Sequence, residues 1–169
     1  PTTGATVTRS ADVASITGTN FSSWYNTNFG SFVVKGGPNQ TTTTNSYLLN
    51  AHGTSYTADR NAIFKSSAAN RLAVIVVTDG VTQVSQNIIN TLLTPSSVSA
   101  YAYSLNDFYF TTQSLTSRST SGTPSSLINA LEIGRLDIAN GGYINGTISR
   151  ITYWPKRLPD SQLIALTRR

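Results

Sequence analysis

Residues 71 to 89 read RLAVIVVTDGVTQVSQNII, and no other stretch restricts the fold as much. Leu72, Val74 and Val76 share one parity while Ala73, Ile75 and Val77 share the other, the pattern of a strand covered on both faces. The run stops at Asp79-Gly80, a pair suited to the positive φ angles of a two-residue hairpin turn, and β-type sequence resumes at Val81. A hairpin centred on 79 and 80 is therefore expected.

The same reading extends along the chain. Between turn signals, short β-type runs fall at Ala14 to Gly18, Gly30 to Lys35, Ser46 to Ala51, Ala62 to Lys65, Arg71 to Thr78, Val81 to Asn90, Val98 to Ser104, Asp107 to Gln113, Ala130 to Leu136 and Gly146 to Trp154. VSAYAYSLNDFYF forms a second expected hairpin. Val98, Ala100 and Ala102 lie on one face, Tyr101, Tyr103 and Leu105 on the other, and Asn106 and Asp107 turn the chain. The polar stretches 36–45 and 114–126 read as loops or mobile edges inside one domain, because strand material continues on both sides. Ten short strands without βαβ spacing predict a single antiparallel sandwich over residues 1–169.

The end of the chain breaks this pattern. In INGTISRITYWPKRLPDSQLIALT, Ile151 and Tyr153 share a parity that Ile148 and Trp154 do not, so either both faces are covered or a bulge shifts the register between Ile148 and Ile151. Pro155 ends the strand. Pro159 at the first helical position and Asp160 beside it predict a short helix whose Leu163 and Leu166 dock on the sheet, since about two turns are too short to be stable alone.

Composition narrows the function. The 169 residues carry a formal charge of +5, yet only 11% are charged and the basic residues are scattered, which does not describe a nucleic-acid-binding surface. No apolar run reaches the length of a membrane span and no signal-peptide pattern is present, so a soluble piece is expected. Cysteine and methionine are absent and the chain begins with Pro1, which is read as the mark of a fragment, the C-terminal module of a longer protein. A neutral surface rich in Ser, Thr and Asn suits extracellular β-sandwiches and virion proteins.

Two segments carry a family likeness. LEIGRLDIANGGYINGTISRITYWPKRLPDSQLIALT resembles the closing signature of concanavalin A-like (laminin G-like) jelly rolls: Leu131-Glu132-Ile133-Gly134, Gly141-Gly142, Asn145-Gly146-Thr147-Ile148, then Tyr153 to Leu158 and Leu163. Where such tails usually carry Ser and Glu, this chain has Pro159 and Gln162, so the reciprocal capping box is lost. The opening is similar to the start of such jelly rolls in bacteriophage tail fibres, tail spikes and head fibres, through Thr8-Arg9-Ser10-Ala11-Asp12-Val13 and Phe21 to Asn26. The likeness implies an all-β, antiparallel jelly-roll sandwich with one short C-terminal helix.

Relatives of this fold include glucanases, which hydrolyse with two glutamates on one strand face. Here the single glutamate, Glu132, is followed by Asp137 five positions on, on the opposite strand face. His52 is the only histidine and no nucleophile elbow accompanies it, so no catalytic residues are expected. No cofactor is expected either. Laminin G-like modules commonly hold calcium at the sandwich rim, but Asp79, Asn106 and Asp107 are explained as turn residues. The sequons at Asn20, Asn39 and Asn145 are chance features of a Thr-rich chain.

Carbohydrate recognition needs rings to stack on sugar faces and neutral partners for hydroxyls. The ligand-binding candidates near polar loops are Tyr47, His52, Tyr56, Arg60, Tyr109 and Tyr143. The expectation is a lectin-like, non-catalytic module of a phage virion protein, outside the cell, binding host-surface polysaccharide and other virion subunits, with a trimer arising through the parent protein. The alternatives are a structural decoration or assembly module without glycan binding, and a glycan-degrading enzyme.

Overall fold

The computed structural model describes residues 14–39, 44–68, 71–89, 94–113, 115–136 and 141–168. Among them are eleven strands: β1 (Ala14–Thr17), β2 (Gly30–Pro38), β3 (Ser46–His52), β4 (Arg60–Lys65), β5 (Arg71–Thr78), β6 (Val81–Ile89), β7 (Val98–Ser104), β8 (Asp107–Thr112), β9 (Leu115–Ser119), β10 (Ala130–Ile133) and β11 (Gly146–Trp154). Two helices accompany them, α1 (Thr19–Ser22) and α2 (Asp160–Thr167). A six-stranded sheet runs β1-β10-β3-β4-β5-β6 and a five-stranded sheet runs β11-β2-β7-β8-β9, with every pairing antiparallel. No helix among the described residues is long and apolar enough to cross a membrane.

The hairpin at 79–80 forms as expected, with φ of 51° at Asp79 and 76° at Gly80, the two positive angles such a turn requires. In the second hairpin the turn sits one residue earlier. Leu105 and Asn106 make it, Asn106 has φ 56°, and Asp107 already pairs with Ser104. Leu105 is consequently exposed at the tip instead of sharing the core face of Tyr101 and Tyr103.

Three further boundaries differ from the sequence reading. The strand expected to reach Leu136 stops at Ile133, because Gly134 takes φ 76° and turns the chain. The stretch 36–45 is strand as far as Pro38, where Gly36 and Gly37 let the backbones of residues 147–148 and 94 approach too closely for any Cβ. Leu115–Ser119, expected as loop, pairs with β8. Its sequence LTSRS has no apolar alternation, so only the neighbouring strand's unpaired edge reveals it. The turn α1 was not anticipated; it drives Phe21 into the core beside Tyr25.

Between the sheets lie Leu49, Ile63, Leu72, Val74, Val76 and Leu131 from one side and Phe32, Val34, Tyr101, Tyr103, Phe108 and Phe110 from the other. Of the two alternatives for β11 the bulge is present: register shifts between Ile148 and Arg150. Ile148, Ile151 and Tyr153 therefore all reach the main core, while Trp154 packs in a second cluster on the outer side.

That second cluster is where α2 docks. Leu158 and Leu163 bury against Ala100, Ala102 and Tyr109. Four ion contacts frame the helix start: Arg118 reaches Asp107 at 3.0 Å and Asp160 at 2.8 Å, and Arg157 reaches the same two carboxylates at 2.9 and 2.6 Å. Pro159, with φ −57° and ψ 146°, is the residue before the helix and not its first. Leu163 is fully buried, but Leu166 is 39% exposed, contrary to expectation. Residues four apart stack along one line of a helix, so Leu163 and Thr167 take the inner stripe and Leu166 falls to its flank.

Two outcomes follow for stability. Leu163→Ala is expected to cost about 2 to 5 kcal/mol in urea unfolding, and Leu166→Ala less than about 1 kcal/mol. Burial raises the pKa of the Tyr25, Tyr101 and Tyr103 phenols above their ordinary value of 10.0. Below pH 10 they are protonated in both the folded and unfolded chain; above it only the unfolded chain ionises, so stability falls as pH rises. Phenolate absorbance is expected to show these three tyrosines ionising together with loss of the β-sheet circular dichroism signal, not before it.

Candidate functional site

Alternation along each strand decides which side chains the six-stranded sheet turns away from the core. Because Leu49, Ala51, Asn61 and Ile63 face inward, Asn50, His52, Arg60, Ala62 and Phe64 face outward. The register aligns Glu132, Asn50, Ala62 and Ile75 in one row across β10, β3, β4 and β5, and Ala130, His52, Arg60 and Val77 in the next. Leu48 is the extra residue of a bulge in β3. It and Leu49 both enter the core, which leaves Tyr47 on the outer face, stacked on Phe64 with ring centroids 5.0 Å apart.

This face carries an unusual amount of buried charge. The Arg135 Nε and Nη2 atoms lie 2.7 and 2.6 Å from Glu132 Oε2, and Arg135 is only 1% exposed. His52 Nδ1 lies 2.6 Å from the Gly53 carbonyl, to which it can only donate, so in the neutral ring Nε2 is an acceptor. That acceptor points at another one, Glu132 Oε1, 3.8 Å away. A hydrogen-bond donor placed between the two would satisfy both.

Unsatisfied groups gather here. Asn50 Oδ1, His52 Nε2, Arg60 Nε, Arg71 Nε and Arg135 Nη1 are all buried without a hydrogen-bond partner among the described residues. The other two such atoms, Thr111 Oγ1 and Arg157 Nε, are on the opposite side of the molecule, and Arg157 Nε faces Asp107 Oδ2 at 2.9 Å. Buried polar groups are nearly always paired, because an unpaired one costs about 1 to 3 kcal/mol. Five of the seven such atoms lie on this one sheet face.

Beside this layer opens a cleft of about 480 Å³, lined by Thr44, Asn45, Tyr47, Leu136, Gly142 and Tyr143. Gly142 has φ 66°, and a Cβ there would sit 2.8 Å from the Tyr47 ring, so only glycine lets the 141–143 turn close over that ring. Burial raises the Tyr47 pKa, offset in part by the positive charge of Arg60. The Arg60 guanidinium in turn lies 5.9 Å from the centre of the Tyr56 ring. Asn50 Nδ2 donates to the Leu136 carbonyl at 2.7 Å and so ties the polar layer to the cleft wall.

Five of the six candidates read from the sequence thus fall in or beside one region: Tyr47, His52, Tyr56, Arg60 and Tyr143. Tyr109 does not join them. It is 7% exposed on the other sheet, in the cluster under α2, with the Arg157 guanidinium 6.0 Å from its ring. Asn50, Arg71, Glu132 and Arg135 were missed as site residues. The parity of Leu131 and Ile133 would have turned Glu132 outward, but its pairing with Arg135 depends on the turn at Gly134. Asp137 lies outside the described residues, and the Asp107 carboxylate is held by two arginines.

No protein-family model and no curated protein matches the chain. Solved structures do. The carbohydrate-binding module (CBM40) of the Ruminococcus gnavus IT-sialidase, bound to α2,3-sialyllactose, superposes with TM-score 0.66 and 15% identity over 84% of this chain and 83% of that one. The chain has the jelly-roll sandwich fold of the concanavalin A-like kind. A mutant NanB sialidase of Streptococcus pneumoniae matches with TM-score 0.71 and 11% identity over 92% of this chain, but only 27% of the sialidase chain. Domains LG4-5 of the mouse laminin α1 chain match with TM-score 0.67 and 10% identity over 94% of this jelly roll and 41% of the laminin chain.

The buried ion pair is directly testable. Glu132→Ala, which strands Arg135, is expected to cost about 3 to 5 kcal/mol in chemical denaturation, whereas the double change Glu132→Leu with Arg135→Met should cost far less or nothing. Equal losses in the two variants would show that the pair does not act as a unit.

Proposed function

We propose that the jelly roll is a non-catalytic carbohydrate-binding module that takes a carboxylate-bearing glycan on the outer face of the six-stranded sheet. The carrying observation is the set of five buried, unpartnered polar atoms on that face. Sugar hydroxyls both donate and accept, so they suit the Asn50 Oδ1 and His52 Nε2 acceptors and the Arg60 and Arg135 donors together. A carboxylate would take the guanidinium donors with charge-assisted bonds. Tyr47 and Tyr143 supply ring faces at the adjoining cleft. The R. gnavus module, similar in fold and seen with sialyllactose, supports this class of ligand.

Binding is favoured over hydrolysis because the one glutamate is held by Arg135, which leaves it neither a free acid nor a nucleophile. The setting we propose is a bacteriophage fibre, spike or head fibre protein, with the module outside the cell facing host-surface polysaccharide. The resemblance of the opening segment and the hydroxyl-rich composition support that reading. Several copies on one particle would raise a weak single-site affinity.

Calorimetric titration with 3′-sialyllactose and with lactose separates the readings. Saturable binding of the acidic sugar is expected, weakened about tenfold or more in Arg60→Ala and Tyr47→Ala and unaffected by Leu105→Ala at the exposed hairpin tip. Failure of any acidic glycan on an array to bind favours the structural decoration module; release of reducing sugar would establish the enzyme.

A further inference from the structure

The opposite sheet carries a feature that folding does not explain. Lys35 on β2 and Arg150 on β11 are directly opposed Cα partners on the outer face, and both side chains are exposed. Like charges at opposed positions of adjacent strands are destabilising. Neither has an ion pair among the described residues, where Asp107 and Asp160 are taken by Arg118 and Arg157, and Glu132 by Arg135. Asp59 accepts from Ser125, and Asp79 is in the hairpin turn of the other sheet.

These cations border a groove of about 190 Å³ whose apolar walls are Val33, Val98, Trp154 and the half-exposed Leu166 of α2. Residues two apart on a strand share a face, so Arg150, Thr152 and Trp154 form one line along β11: cation, hydroxyl, indole. The Arg150 Nε atom donates to Thr152 Oγ1 at 3.0 Å, which turns the guanidinium along the strand towards Trp154. Trp154 is steadied from behind by its packing with the cluster under α2.

We infer that this groove is a second saccharide site, for a single acidic sugar residue whose ring lies on Trp154 and whose anionic group sits between Lys35 and Arg150. The indole supplies the apolar platform that a sugar ring stacks on, and Leu166, on the flank of α2, closes the end of the groove. The anion relieves the repulsion between the two cations, so the bound state recovers what the empty fold loses. A carboxylate and a sulfate ester meet these requirements equally. The site is separate from the face under Proposed function and stands without it.

Trp154 reports on its own site once Trp24, the only other tryptophan, is replaced. In a Trp24→Phe background, indole fluorescence is followed while methyl glucuronide, glucose 6-sulfate or neutral methyl glucoside is added. A saturable change is expected with at least one of the acidic sugars, which identifies the anionic group; affinity for the neutral glucoside should be weaker by about tenfold or more. Lys35→Gln and Arg150→Gln should each weaken the acidic sugar by a similar factor, added salt should weaken it, and Arg60→Ala on the other face should not. Lys35→Glu is expected to abolish binding while raising the denaturation midpoint. No saturable change with either acidic sugar, an equal response to the neutral one, or indifference to Lys35→Gln and Arg150→Gln would overturn the inference.

Discussion

The two sheets are joined at one end by an aromatic layer that satisfies its own polar groups, and the rest of the molecule is arranged around it. Tyr25 stacks near Phe21 at 4.6 Å and Tyr153 at 5.4 Å, and its hydroxyl accepts from Asn61 Nδ2 at 3.1 Å. Tyr101 donates to Asn61 Oδ1 and Tyr103 to the Asn26 carbonyl. Gly30 is required beneath them, since a Cβ there would lie 2.6 Å from the Tyr153 hydroxyl and 2.7 Å from that of Tyr103. Large rings give this layer most of its apolar contact, and the hydrogen bonds remove the penalty for burying their oxygens.

Because the core is closed in this way, both outer faces are left for other work. One face of the five-stranded sheet is half covered by α2, held by two buried leucines and framed by a four-member charge cluster. Those ion pairs are partly exposed and contribute little individually, so the leucines hold the helix and the charges set where it starts. Among the described residues no helix covers the outer face of the six-stranded sheet; it carries the buried pair of Arg135 and Glu132 with His52 beside it, an arrangement that is poor for stability. The docked helix and the unpaired polar groups thus lie on the outer faces of different sheets.

Much of this was legible in the residues. The Asp79-Gly80 turn, the strand alternation and the parity conflict between Ile148 and Ile151 each report local geometry, and local geometry is what a sequence encodes most directly. Four of the candidates, Tyr47, His52, Tyr56 and Arg60, come from one stretch of β3, its loop and β4, so strand pairing brings them to one side. Tyr109 was misplaced because a tyrosine beside a polar turn looks alike whether a helix 50 residues later covers it or not. Arg135 was missed because its meaning depends on Gly134 turning its side chain back to Glu132.

By itself the chain's order of residues determined the all-β class, the two hairpins and the closing helix, because each depends on neighbours within a few positions. Only the tertiary structure decided which leucine of that helix is buried, that LTSRS is a strand, and that unpaired groups from β3, β4, β5 and the turn after β10 meet on one face. Those outcomes depend on which strands lie side by side. That is set by burying one shared core, and no local stretch records it.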